Sequence, residues 1–75
     1  MATTVTEWLA RYSEALGIDP PTEEEVNQIL ALAGVAAHAS ERTAAPVSCW
    51  LAARAGIGLS EARRLAEEVA ERSKE

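Results

Sequence analysis

The residues best suited to chemistry stand close together: His38 is the only histidine, Arg42 follows one helical turn later, and Pro46 must break or start a helix. On one continuous helix, a His and an Arg at i, i+4 project from the same face about 6 Å apart at Cβ. Such a pair can clamp a phosphate or carboxylate. Arg42 would supply a fork of donors and His38 one more, while the N–H groups opening a following helix near Val47 and Ser48 would add the positive end of its dipole. The same residues also suit a purely structural junction. In that arrangement His38 donates to a loop carbonyl, while Arg42 pairs with an acid and caps the preceding helix. The sequence leaves both arrangements open.

Counting donors removes the reactive alternatives. Cys49 and His38 are the only soft ligands, whereas a structural zinc takes about four ligands at recognised spacings. A Cys–His nucleophilic pair would further need an oxyanion hole and a cleft that a small helical chain rarely forms. Cys49 is therefore expected to be a small core or interface residue. Glu23, Glu24 and Glu25 point around a helix rather than to one spot, so they read as a solvated helix start, not a cation site. There is no glycine-rich phosphate loop and no pair of acids set for magnesium. The expectation is a non-enzymatic protein with no catalytic residue, metal or cofactor.

Composition narrows the partners. With 75 residues the chain is one domain, 1–75, and a domain of this size buries only about 60% of the surface its unfolded chain exposes. Oligomerisation or docking to a larger protein would supply what the core lacks. The net charge of -5 opposes a phosphate backbone, so nucleic acid is not an expected partner. No apolar run approaches the roughly 18 residues of a membrane span, and the single cysteine excludes an internal disulfide. The start Met-Ala-Thr-Thr-Val-Thr lacks the basic and apolar regions of a signal peptide, and a cytoplasmic setting is expected.

Four helical segments must position these residues. Thr3 or Thr4 can cap the first, about 4–16, in which Val5, Trp8, Leu9, Tyr12 and Leu16 form an apolar stripe and Gly17 is the stop. Ile18-Asp19-Pro20-Pro21 is a rigid link. Thr22 with Glu25 makes a capping box for a second helix, about 23–42, whose wide apolar arc marks it as central. Gly34 inside it costs about 1 kcal/mol against alanine. Close approach by another helix, with Trp8 or Trp50 filling the notch, would offset that cost. A short third helix, about 46–55, ends at Gly56-Ile57-Gly58, and Ser60 caps a fourth, about 60–73. The pattern predicts an all-α fold, a compact antiparallel four-helix bundle. Were Trp50 to face outward with Val47 and Leu51, the third helix would present a patch for a second copy or another protein. In a self-associating module with no ligand, Trp50 and the alanine-rich face of the second helix would form the dimer interface.

The order Trp8-Leu9, Leu16-Gly17-Ile18-Asp19, Leu32-Ala33-Gly34-Val35-Ala36-Ala37-His38, Arg42, Ala44-Ala45-Pro46-Val47 and Trp50-Leu51-Ala52 resembles a small helical family of unknown function. That family is found chiefly in actinobacteria and related high-GC bacteria. Its members stand alone or are appended to molybdenum cofactor guanylyltransferases, enzymes of molybdopterin-guanine dinucleotide biosynthesis. The resemblance spans about residues 5–56. Its most specific part is His-x-x-x-Arg-x-x-Ala-Pro, which falls on His38, Arg42, Ala45 and Pro46. Trp50 stands where relatives usually carry Phe, and the segment after Leu59 lies beyond the match. The resemblance implies an accessory or interaction role beside a guanylyltransferase, with His38, Arg42 and Pro46 as the positions of interest.

Overall fold

The computed structural model describes residues 3–74, and local sequence signals account for each of its four helices. Helix α1 spans Val5–Leu16 and begins with a reciprocal capping box: Thr4 Oγ1 accepts from the Glu7 N–H at 3.1 Å, and the Glu7 carboxylate accepts from Thr4. Gly17, at φ 75°, ends it in the left-handed conformation that glycine adopts without a Cβ penalty. The box expected for α2, Glu23–Ala39, is present. Thr22 Oγ1 accepts from Glu25 N–H at 3.1 Å, and Thr22 N–H donates to Glu25 Oε1 at 2.8 Å.

Three boundaries differ from the sequence expectation. Helix α2 ends at Ala39 rather than Arg42, because Ser40 leaves helical geometry at φ -135°, ψ -106° and the chain turns at once. Helix α3 spans Ala44–Ala55, starting two residues before Pro46 and matching α1 in length. Pro46 sits in its first turn, where its missing N–H removes nothing. Helix α4, Leu59–Arg72, is preceded by Gly58 as an extended N-cap with no side-chain bond, so Ser60 lies inside the first turn and does not cap.

The class is all-α, as expected, and α2 is the central element: α3 and α4 both pack against it. Among the described residues, Leu32 on α2 and Ala62 on α4 are the buried apolar ones. Helix α1 packs on no other helix to a comparable extent. A hollow of about 370 Å³ separates its Thr6, Leu9 and Ala10 from the Pro20-Pro21 link and the start of α2, and on its inner edge Ser13 is buried and donates its hydroxyl to the Leu9 carbonyl at 2.6 Å. The radius of gyration is 13.6 Å, against about 11 Å expected for a rounded domain of 75 residues.

The notch at Gly34 is open. A Cβ built there meets nothing within 4 Å, so neither Trp8 nor Trp50 fills it and no helix approaches. The reason lies in α1: only its Leu9 and Ser13 edge turns inward, and its aromatic residues remain in solvent.

Candidate functional site

Because α2 stops at Ala39, His38 and Arg42 do not share a helix face. His38 lies in the last turn of α2 and lines a shallow hollow with Val35, Ala39, Ala70, Ser73 and Lys74, so it faces the end of α4. Arg42 lies in the tight reversal that follows, where its carbonyl accepts from Ala45 N–H at 3.1 Å and that of Glu41 accepts from Ala44 N–H at 2.9 Å. Those two bonds occupy early N–H groups of α3, and Pro46 has none to offer. The positive end of α3 is therefore largely committed to the turn. His38, Arg42 and Pro46 are all exposed, and neither the His38 imidazole nor the Arg42 guanidinium has a hydrogen-bond or ion-pair partner among the described residues. Neither the expected i, i+4 clamp nor the expected structural pairing of Arg42 with an acid is assembled. The structure instead sets His38 across a shallow hollow from Ser73 and Lys74, residues the sequence reading left aside because they stand at the far end of the chain, just past α4.

Cys49 lies between α3 and α2, partly buried, with its Sγ 3.9 Å from the Ile29 carbonyl. Burial raises its thiol above the ordinary value, which disfavours the thiolate. Among the described residues no group of three or more His, Cys, Asp or Glu could hold a metal ion. No helix among them is long and apolar enough to cross a membrane.

The outer face of α3 is better organised. Val47 and Trp50 are 56% and 58% exposed, and the Arg54 guanidinium lies 5.2 Å from the centroid of the Trp50 ring. The i, i+4 spacing of Trp50 and Arg54 produces this cation–π contact, which holds a large aromatic surface in place while leaving it accessible. Leu51, 52% exposed, leans the other way, into the space between α3 and α4. Helix α1 carries a second set: Trp8 and Tyr12, one turn apart, stack with centroids 6.0 Å apart and planes at 19°. Val5, Trp8, Tyr12 and Leu16 are all more than half exposed.

Fold and surface together define a small helical domain with a minimal core of its own and large apolar side chains turned outward. The chain belongs to the family described as a domain of unknown function (DUF6457), which matches it over residues 1–75. No curated protein and no solved structure matches the chain.

Proposed function

We propose that this domain is a non-enzymatic interaction module that docks on a protein partner through the outer face of α3, and that the partner is a molybdenum cofactor guanylyltransferase. The observation that carries the first part is the Trp50–Arg54 pair, exposed and mutually ordered beside Val47. Trp and Arg are the residue types that most often dominate binding energy, and a side chain already held in place loses less entropy on docking. The choice of partner rests on the resemblance carried by His38, Arg42, Ala45 and Pro46. Of these, Arg42, Ala45 and Pro46 open α3 or lie just before it, so an enzyme seated on α3 would also meet the unpaired Arg42, which suits an anionic group on the partner or its cofactor.

Calorimetric titration of the domain into a purified guanylyltransferase tests the reading. Binding is expected, with Trp50→Ala weakening it at least about 30-fold and Arg42→Ala weakening it less. A parallel thermal melt with GTP or a pterin phosphate examines the anionic group: a rise that Arg42→Ala removes supports it. No heat of binding at 100-micromolar domain, about the weak end of specific association, would overturn the choice of partner.

A further inference from the structure

The accessible surface of the chain is 6081 Å², whereas a folded monomer of 8.0 kDa is expected to expose about 4,500 Å². About 1,600 Å² per chain is therefore surface that proteins of this mass normally cover. Two copies covering that area on each other would bury about 3,200 Å² in total, within the range of about 2,000–5,000 Å² for obligate homodimers.

Eight of the twelve large apolar side chains left exposed among the described residues lie on two features. One is the α1 stripe, with large side chains at Val5, Trp8, Tyr12 and Leu16 and no charge within it. The other is a groove between α3 and α4 with α2 as its floor. Two hollows of about 230 and 350 Å³ share Ser48, Leu51, Ala66 and Val69 and so form one trough, reaching from Ile57 to Ser40. Its walls are mostly small residues, among them Ala36, Ala52 and Ala70, and no charged residue lines it. A helix can approach such walls closely, and the groove side of α4, Ala62 to Ser73, runs about 17 Å beside an α1 about 18 Å long. Large residues on the helix meet small residues in the trough, and neither surface would bury an unpaired charge.

We infer that two copies of this chain associate by reciprocal exchange, the α1 stripe of each lying in the α3–α4 groove of the other. One two-fold operation satisfies both unpartnered surfaces of both chains at once and closes the assembly. The stacked Trp8–Tyr12 pair is the anchor, and the Pro20-Pro21 link holds α1 away from its own bundle so that it can reach across. This inference uses residues distinct from Val47, Trp50 and Arg54, and it stands independently of the partner proposed above.

Sedimentation equilibrium of the wild-type chain and of a Trp8→Ala/Tyr12→Ala double variant tests it. The wild type is expected at twice 8.0 kDa. The variant is expected to dissociate at least about 100-fold more readily, with the circular dichroism of α2, α3 and α4 retained and any loss confined to what α1 contributes. Because each copy carries a charge of -5, association strengthens as salt rises. In a Cys49→Ser background, mixing Leu16→Cys chains with Val69→Cys chains under mild oxidation is expected to give a mixed disulfide dimer. A wild type that remains monomeric at 100 micromolar overturns the inference, as does a dimer indifferent to the double variant. Failure of the mixed disulfide in a dimeric protein also overturns it. A monomer that nevertheless binds the guanylyltransferase would remove this inference and leave the earlier reading standing.

Discussion

Replacing Gly34 by alanine is expected to stabilise the protein, and the reasoning can be followed atom by atom. Gly34 lies inside α2, and only Gly17 and Gly56 have positive φ, so its backbone is one that any residue adopts. A Cβ added there meets no atom within 4 Å. The substitution therefore introduces no overlap and removes the entropic penalty of glycine in a helix, a gain of about 1 kcal/mol. For a domain of this size that corresponds to a rise in Tm of about 4–8 °C. Gly17→Ala and Gly56→Ala are the matched controls: both sites are equally open, but φ of 75° and 72° makes alanine strained, and Tm is expected to fall. Melts followed by circular dichroism at one fixed protein concentration measure all three. A fall in Tm for Gly34→Ala would mean that another helix closes on that face, and would refute the placement of α1 and of both tryptophans.

The caps give a second contrast: Thr22→Ala removes a reciprocal box and is expected to cost about 1 kcal/mol, whereas Ser60→Ala leaves Tm within about a degree because Gly58 occupies the N-cap. Helix α4 should be sensitive to acid. Arg64 bonds both Glu61 and Glu68, and this holds the Glu61 carboxyl below the ordinary carboxylate value. A depressed folded value gives stability that is present above the unfolded value near 4.5 and lost as pH falls through the folded one. Helicity is thus expected to decline below that pH, and Arg64→Ala to lower helicity at neutral pH and flatten that decline; an unchanged acid limb would contradict the pairing. Cys49 is expected to react with iodoacetamide at pH 7 more slowly than a free thiol, since burial raises it, and a rate at or above that of glutathione would count against its place between α3 and α2.

Local information was legible in the sequence, and information about junctions was not. Thr22 with Glu25 and the glycine stops at Gly17 and Gly56 marked their helix ends because capping is a contact between residues three or four apart. The end of α2 was obscured because Ser40, Glu41 and Arg42 are all compatible with helix. What stops α2 is the reversal closed by Ala44 and Ala45, whose N–H groups donate to Glu41 and Arg42 carbonyls. That single misplacement was enough to separate His38 from Arg42. The stripe on α1 was read correctly as a stripe, but periodicity says only that a face is apolar, not whose surface covers it. The alanines and serines shared among α2, α3 and α4 were the overlooked signal: small residues on three facing helices leave room for a further one.

The ion pairs explain how such an arrangement holds together. Each one among the described residues joins side chains three or four positions apart on the same helical segment: Glu7–Arg11, Glu61–Arg64, Arg63–Glu67, Arg64–Glu68 and Glu71–Lys74. None ties one helix to another, so charge stabilises the elements and leaves their mutual placement to apolar packing and the Cys49–Ile29 contact. For α1 this division has a consequence. A 12-residue helix is marginal when isolated, and here little beyond the Leu9 and Ser13 edge touches the rest of the chain. Its capping box, the Glu7–Arg11 pair and the Trp8–Tyr12 stack keep it formed, and seating in a partner's groove would add the tertiary packing on which most protein helices depend. The order of α1 and the association of two chains are then one equilibrium, so dilution should cost helicity within residues 5–16 before it affects α2 and α4, whose packing lies within the chain.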